Sequence, residues 1–488
     1  MSKTKQSLSK PSLDATVKTA LSLFQSGDIE ATISTLETGI AAFRHSRELR
    51  LLLGQAHFKK GDFDAAAAAY RTVVESNPRD GDALFGQAIA LAQGSAPESA
   101  IPILDTLIQA RPDMAELQYN RGLALRACNR LESAEQAYRS AMKINPNLVA
   151  TYRNLGNLLL DLGRVDEAFA VYHEGFLRRR QRGVDPANAD LRSISAAKLK
   201  HDIEQLEHLS RQGKLGPDDE DLIDGFRSVH AEIAAVSEAR EVPLSNDQLH
   251  RLGGVFQRIL YLDPGERISG GVIQQGLDAG EIEKTYLDSR PNLAVIDDVL
   301  VPDAIEGLRR FLADSTIWHR WRFVNDNGYM GAMMDDGFDC PLILQISEDL
   351  RSTFPRVFKE HTLRKVWAFK YAETIGGVPA HADFAAVNLN LYITPDEANL
   401  EPKTGGLLVW DVVAPLEWGF ERYNTDEAAL SRLVEERGKP PLRLPHRQNR
   451  IVMFDSDLVH ATDQLHFKPG YLNRRINVTM LFGKREND

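Results

Sequence analysis

The sequence has little of what marks secreted, membrane or nucleic-acid-binding proteins. Only two cysteines, Cys128 and Cys340, occur in 488 residues, too few for the disulfide framework of a secreted domain. No apolar run approaches the roughly 20 residues that span a bilayer, and no secretion signal opens the chain. The formal charge of −11 argues against a general affinity for nucleic acid. We therefore predict a cytoplasmic protein with no nucleic-acid or membrane partner.

The length and the composition predict a multidomain globular protein. A chain of 488 residues with 43% hydrophobic residues is long enough for about three domains. Changes of pattern along the sequence predict an N-terminal tail over residues 1–12, a repeat region over 13–183, a helical bridging region over 184–290 and a C-terminal domain over 291–488.

The repeat region has a period of 34 residues. A small residue, an aromatic residue or leucine, and a proline recur at fixed phases: Ala66, Ala100, Ala134 and Ala168; Tyr70, Leu104, Tyr138 and Tyr172; Pro78, Pro112 and Pro146. This pattern resembles the tetratricopeptide repeat, a pair of helices that stacks on its neighbours. We predict an all-α solenoid of about five repeats, whose groove binds a protein or peptide.

The bridging region keeps a helical periodicity but leaves the 34-residue phase. Apolar residues recur on one helical face over 199–209 and again over 222–233, and a third amphipathic run extends from Asn246 to Leu262. We predict that these helices extend or cap the solenoid and connect it to the C-terminal domain.

The C-terminal domain shows β-branched alternation in place of helical periodicity. Strands are predicted over 294–300, 366–371, 387–394, 407–413, 451–454 and 476–482. Antiparallel strands of this number that close around a ligand favour a double-sheet jelly roll. Residues 414–447 form an insertion, for which we consider a lid, a substrate-binding element and a solvated excursion.

Two histidines and one aspartate stand out in this domain. His381 and Asp383 lie two positions apart, and His460 follows on a later strand. Two imidazoles and a carboxylate can occupy one face of a metal ion and leave its other positions open, which is the ligand set of non-haem Fe(II) oxygenases. We predict that these three residues are the metal ligands and the catalytic centre.

A second group of polar residues alternates along the last predicted strand. Arg475, Asn477 and Thr479 are two positions apart, so their side chains share one face of the strand. A guanidinium can hold a carboxylate through two parallel hydrogen bonds. Arg475 is therefore a candidate anchor for an acidic co-substrate.

In this order, the motifs of residues 290–488 resemble the 2-oxoglutarate- and Fe(II)-dependent dioxygenases, within their prolyl-4-hydroxylase-like branch. Tyr371 stands ten residues before His381, and a Gly-Gly-x-Leu turn begins at Gly405. The resemblance implies a double-stranded β-helix, or jelly roll, that binds Fe(II) and uses 2-oxoglutarate and dioxygen. It implies that Arg475, Tyr371 and Tyr392 contact 2-oxoglutarate.

Other residues compete for some of these roles. Asn390 shares a strand face with Tyr392, and we expect Asn390 and Asn477 to contact the co-substrate as well. His446 and His466 are alternative third ligands, but both stand outside the expected strand order. Arg474 and Lys468 are alternative anchors, because fifteen residues separate His460 from Arg475 where many relatives have nearer ten.

The resemblance implies an enzyme that hydroxylates a C–H bond, and the repeats favour a protein or peptide substrate. A small metabolite or a natural-product intermediate stays open as the substrate. A non-catalytic repeat scaffold with an inert jelly roll is the alternative from another class. A zinc hydrolase is a further alternative, although its mechanism has no use for Arg475 or Tyr371.

Overall fold

The computed structural model describes residues 12–181, 193–216, 221–237, 240–324, 327–359, 361–371, 374–375, 377–437 and 439–485. The chain divides into two compact units, Met1–Leu158 and Leu159–Asp488. The predicted N-terminal tail lies outside the described residues except for Ser12, whose side chain caps the first helix by accepting a hydrogen bond from the amide of Ala15.

The first unit is helical. Its helices are α1 (Leu13–Ser26), α2 (Ile29–Ala42), α3 (Arg47–Lys60), α4 (Phe63–Ser76), α5 (Gly81–Gln93), α6 (Pro97–Ala110), α7 (Ala115–Ala127), α8 (Leu131–Ile144) and α9 (Ala150–Asp161), the last of which continues into the second unit.

The recurring tyrosines pack helices together in the way that the repeat pattern predicts. Tyr138 on α8 is fully buried, and a Cβ atom at Gly122 on α7 would lie 2.5 Å from its ring. Tyr70 on α4 makes the same approach to Gly54 on α3, where a Cβ atom would lie 2.6 Å from the ring. Only glycine lets an aromatic ring lie this close to the neighbouring helix.

The second unit has ten further α-helices within its described residues, and two short 3-10 helices, Asp396–Ala398 and Tyr471–Asn473. The α-helices are α10 (Val165–Arg180), α11 (Ala196–Arg211), α12 (Leu222–Val236), α13 (Asn246–Arg251), α14 (Ala279–Asp288), α15 (Pro302–Asp314), α16 (Pro341–Thr353), α17 (Pro355–Phe358), α18 (Phe420–Asn424) and α19 (Glu427–Arg437).

The third helix of the bridging region is shorter than predicted. α13 ends at Arg251, whereas the amphipathic run extends to Leu262. Gly253 and Gly254 have φ values of 65° and 66°, which belong to the left-handed region where helices end. The two glycines therefore stop the helix although the apolar pattern continues.

The strands of the second unit are short, and most lie after residue 290. They are β1 (Ser193–Ile194), β2 (Val242–Pro243), β3 (Leu293–Ile296), β4 (Arg320–Val324), β5 (Asn327–Met333), β6 (Leu363–Tyr371), β7 (Thr374–Ile375), β8 (Val387–Tyr392), β9 (Leu407–Val413), β10 (Leu442–Leu444), β11 (Ile451–Asp455), β12 (Leu458–Thr462), β13 (Leu465–His466) and β14 (Ile476–Phe482).

Two antiparallel sheets position the candidate site. The larger has seven strands in the order β3-β11-β8-β14-β6-β5-β4, and the smaller has the order β10-β9-β12. Every residue of β8 and of β14 is buried, so the centre of the larger sheet is covered on both faces. The C-terminal region is thus β-rich, as predicted.

α10 belongs to the second unit, although the predicted repeat region extends to residue 183. Arg180 near its end donates hydrogen bonds to both carboxylate oxygens of Asp336, at 2.9 and 2.6 Å. Both residues are at most 3% exposed. Burial by itself would raise the pKa of Asp336, but Arg180 outweighs burial and holds the pKa well below its ordinary value.

The bridging helices share this unit with the strands. α11, α12 and the segment after α13 form a small core around Leu199, Leu206 and Phe226. Arg474, next to the last strand, donates to the Glu204 carboxylate on α11 at 2.9 Å. The bridging region therefore packs on the sheet side that lies opposite the candidate site.

Candidate metal centre

Backbone pairing brings the two candidate histidine ligands together. His381, which follows β7, and His460 on β12 form an isolated antiparallel bridge. Each amide donates to the other residue's carbonyl, at 2.9 and 2.8 Å. The amide of Asp383 donates to the carbonyl of Ser456 at 3.0 Å. Two segments that are far apart in sequence are thus fixed side by side.

The three predicted metal ligands form one cluster. Each of the three side chains, His381, Asp383 and His460, offers one ligand atom, and these three atoms lie within 4.8 Å of one another. The imidazole centroids are 4.3 Å apart, and His460 Nε2 lies 3.6 Å from Asp383 Oδ2. Asp383 is 5% exposed and His460 is 3% exposed. The spacing suits ligands that converge on one ion.

The orientation of both imidazoles is fixed from behind. Nδ1 of His381 lies 2.9 Å from the carbonyl of Pro379, and Nδ1 of His460 lies 2.9 Å from the carbonyl of Leu458. A carbonyl only accepts, so each Nδ1 carries the proton and each Nε2 has a free lone pair. This is the tautomer that metal-binding histidines commonly use.

The electrostatic surroundings of His381 and Asp383 favour the neutral imidazole and the ionised carboxylate. Burial, together with the nearby His460, lowers the pKa of His381 to about 4. Burial alone would raise the pKa of Asp383, but the neighbouring His460 and His381 side chains and the hydrogen bond from Asn388 outweigh burial, so the pKa falls below its ordinary value. Metal ligands must be deprotonated, and both shifts favour that state at neutral pH.

A narrow cavity of about 30 Å³ brings most of the predicted residues together. Its lining includes the three metal ligands together with Tyr371, Asn390 and Asn477. Two other predicted residues, Arg475 and Tyr392, do not belong to that lining. The structure thus places six of the eight sequence-predicted site residues around one space.

Arg475 is buried next to that cavity and is 1% exposed. Its Nε donates to the carbonyl of Gly405 at 3.0 Å, and its Nη1 donates to Asn477 Oδ1 at 2.6 Å. The guanidinium carbon lies 4.8 Å from the ring centroid of Tyr371 and 5.4 Å from that of Tyr392. An arginine held in this way offers a fixed positive charge with N–H groups left over.

Tyr392 has a polar atom without a partner. Within the described residues, the buried Tyr392 hydroxyl makes no hydrogen bond. Burial raises the pKa of Tyr392 above its ordinary value, so the hydroxyl keeps its proton as a donor. A buried donor of this kind is costly unless it meets an acceptor. Together with Arg475, it suits the carboxylate of a co-substrate.

The rival residues lie elsewhere. His446 is buried and donates from Nε2 to the carbonyl of Thr394 at 2.9 Å, outside the metal cluster. His466 is exposed near Glu401, and Lys468 is exposed as well. Arg474, as described above, forms an ion pair with Glu204 on the opposite side of the sheet. Both arginines directly precede β14, and the extended backbone there turns the side chains of Arg474 and Arg475 to opposite sides.

A larger cavity of about 610 Å³ opens onto two of the metal ligands, His381 and Asp383. Six aromatic side chains line this vestibule: Trp321, Tyr329, Trp367, Phe369, Phe384 and Phe420. The volume falls in the range of pockets that hold small molecules or side chains. The sequence analysis did not identify these aromatics, although Trp367, Phe369 and Tyr371 alternate on one face of β6.

The insertion forms one wall of the vestibule and is attached to the metal loop. The amide of Ala382, between two metal ligands, donates to the carbonyl of Tyr423 at 2.8 Å. Asn424 Nδ2 donates to the carbonyl of Ala382 at 2.9 Å. Phe420 on the same helix is 51% exposed and borders the cavity. This part of the insertion is a fixed wall, whose contacts no sequence signal indicated.

Comparisons with known proteins support the repeats. Family models described as tetratricopeptide repeat or TPR repeat match residues 17–71, 51–115, 122–163 and 148–182. No curated protein matches the chain. The N-terminal part is therefore an all-α tetratricopeptide solenoid, as predicted, and repeats of this class indicate a protein-interaction scaffold.

The similar solved structures include several of the protein MamA. MamA from Desulfovibrio magneticus RS-1, residue 41 to its end, is 19% identical, with a TM-score of 0.31, and the match covers 34% of this chain and 94% of that chain. A MamA structure labelled MSR-1 is 19% identical, with a TM-score of 0.30 and coverage of 34% and 96%. Within the described residues, no helix combines the length and the apolar character that a membrane crossing requires.

Proposed function

We propose that this protein is a 2-oxoglutarate- and Fe(II)-dependent dioxygenase that hydroxylates a C–H bond. The observation that carries the proposal is the cluster of His381, Asp383 and His460, in which Asp383 and His460 are buried and both histidine Nε2 atoms are free to coordinate. The donor set fits Fe(II), because two imidazoles and one carboxylate occupy one face of the ion and leave the other face open.

The surrounding residues fit an acidic co-substrate. Arg475 supplies a buried positive charge and Tyr392 supplies a hydroxyl without a partner, and both suit the distal carboxylate of 2-oxoglutarate. Tyr371 lies beneath the guanidinium. When bound, iron with 2-oxoglutarate and dioxygen supplies the oxidant for hydroxylation, with succinate and carbon dioxide as the other products. The chain's part is to hold the ligands, anchor the carboxylate and limit the access of water.

The substrate is proposed to bind in the aromatic vestibule. It opens onto His381 and Asp383 and has room for a side chain or a small molecule. The two antiparallel sheets are compatible with a jelly-roll domain. The repeats favour a protein or peptide as the substrate, and a small metabolite or natural-product intermediate is the alternative.

The proposal is tested with the full-length protein. With Fe(II), 2-oxoglutarate and oxygen, we expect slow formation of succinate even without the substrate. His381→Ala, Asp383→Ala and His460→Ala should each abolish metal binding and succinate formation. His466→Ala, at an exposed histidine outside the cluster, is the matched control and should behave like the native protein. Equal activity in the three ligand variants and the native protein would refute the assignment.

A non-catalytic scaffold is the second candidate, and the repeats favour it. The same experiment separates the two functions, because a scaffold forms no succinate and has no need of iron. For an active protein, partner proteins captured through the repeats should gain the mass of one oxygen atom only when Fe(II) and 2-oxoglutarate are present.

A further inference from the structure

A chain of hydrogen-bonded side chains joins Asp383 to Arg475 through three asparagines. Asn388 Nδ2 donates to Asp383 Oδ2 at 2.7 Å, and Asn390 Nδ2 donates to Asn388 Oδ1 at 2.9 Å. Asn477 Nδ2 donates to Asn390 Oδ1 at 3.0 Å, and Arg475 Nη1 donates to Asn477 Oδ1 at 2.6 Å. Each of the five residues is at most 5% exposed.

The two ends of the chain fix the orientation of every amide in it. Arginine can only donate, so Asn477 must present its oxygen to Arg475 and its nitrogen to Asn390. At the other end, the Asp383 carboxylate only accepts, so Asn388 must present its nitrogen to Asp383 and its oxygen to Asn390. The direction therefore follows from the charges at the two ends and does not depend on how each amide is assigned.

The sheet register places these residues on one face. β8 and β14 are neighbours, and Asn390 on β8 pairs with Thr479 on β14. Thr479 Oγ1 donates to Asn390 Oδ1 at 3.0 Å and accepts from Asn477 Nδ2 at 3.2 Å, so Thr479 runs beside the direct Asn477–Asn390 hydrogen bond and is not needed to complete the chain. Because the chain is buried, a broken link leaves a donor and an acceptor unpaired, and their neighbours must reorient.

We propose that Asn388, Asn390 and Asn477 are positioning residues that couple the metal carboxylate to the co-substrate arginine. The inference rests on the proposed function. Asn388 restrains the rotation of the Asp383 carboxylate, and Asn477 restrains the Arg475 guanidinium. Asn390 contacts neither end, yet it connects the two restraints. Its loss should therefore weaken metal binding and co-substrate binding together.

The test uses Co(II) and 2-oxoglutarate as probes on the full-length protein, with visible absorption as the readout. Asn390→Leu keeps the branched shape and the number of side-chain heavy atoms, and it removes both links. We expect it to lower the Co(II) affinity measured without 2-oxoglutarate by about 10-fold, the lower end of the effect of outer-shell partners on metal sites. The affinity for 2-oxoglutarate should fall as well, and the Co(II) spectrum should change.

Thr479→Val is the matched control, because it removes a buried hydroxyl from the same face but leaves the chain intact. Its Co(II) affinity should stay close to native. If Asn390→Leu does not fold, Asn477→Leu breaks the chain at the arginine end, and the same fall in Co(II) affinity is expected although Asn477 touches no metal ligand.

Native Co(II) affinity in a folded variant with a broken chain would overturn the inference, and so would an equal loss in Thr479→Val. Failure of the proposed function has a different signature: the native protein itself would bind no Co(II), and the inference would fall with it.

Discussion

Replacing Arg475 with methionine should weaken 2-oxoglutarate binding and leave a folded protein that still binds iron. Arg475 is the buried cation beside the two tyrosines, whereas methionine has a similar length and no charge. A hydrogen bond to a charged group contributes about 1.5–3 kcal/mol, so we expect a loss of roughly 2–3 kcal/mol for the carboxylate contact. That loss corresponds to an affinity lower by about 30- to 150-fold.

The register of β14 provides the matched control. Arg474 is equally buried, at 3% exposed, but it pairs with Glu204 on the other side of the sheet. Arg474→Met should therefore reduce the free energy of unfolding and leave the 2-oxoglutarate affinity nearly native. The two variants remove the same group from adjacent positions, so they separate a loss of stability from a loss of the anchor.

The assay is an anaerobic titration of the Fe(II) protein with 2-oxoglutarate, followed by the charge-transfer absorption of the complex. The free energy of unfolding of each variant is measured in parallel by urea denaturation. A larger loss of affinity in Arg474→Met than in Arg475→Met would refute the assignment of the anchor. An unchanged affinity in Arg475→Met would show that another residue holds the carboxylate.

Three other variants test separate features. Arg180→Met should lower the free energy of unfolding by about 3 kcal/mol, because the buried Asp336 carboxylate loses both of its hydrogen bonds from Arg180 and, among the described residues, keeps only Arg179, at 3.9 Å. A loss near zero in urea denaturation would contradict this. Burial lowers the pKa of His446 to about 3, whereas the pKa of an unfolded histidine is near 6.5, so the folded protein loses stability as the pH falls below about 6.5. Between pH 7 and pH 5, the free energy of unfolding of His446→Gln, measured by urea denaturation, should fall by about 2 kcal/mol less than that of the native protein. Phe420→Ala should bind iron and 2-oxoglutarate like the native protein but form less hydroxylated product. Leu472→Ala, at a 46% exposed apolar residue outside the vestibule lining, is the control and should form as much product as the native protein. Equal product formation in both variants would exclude a substrate role for Phe420.

The strongly alternating strands could be predicted from the sequence. β14 has the predicted bounds, and β9 does as well, because β-branched and apolar residues fill both. β4 and β5 were not predicted, and in β5 two glycines weaken the strand pattern. The structure explains one of them: a Cβ atom at Gly328 would lie 2.1 Å from the Trp321 side chain. Packing across the two strands requires a glycine at position 328, and the sequence of one strand alone does not show this requirement.

The cluster of metal ligands could be predicted because its chemistry restricts the residue types and their order. The asparagine chain could not be predicted in the same way. Asn390 and Asn477 were expected near the co-substrate from strand alternation alone. Their hydrogen bond depends on the pairing of β8 with β14, which the sequence does not specify. The attachment of Asn424 to Ala382 depends likewise on the path of the insertion.

All five tryptophans lie between residues 318 and 418, so they belong to the second unit. Indole fluorescence therefore reports on the second unit alone. The helical first unit contributes to far-ultraviolet circular dichroism but not to the indole emission. Two of the indoles, Trp321 and Trp367, line the vestibule that opens onto the metal ligands. A paramagnetic ion bound there should quench their emission, which provides an optical signal for metal binding that requires neither turnover nor a known substrate.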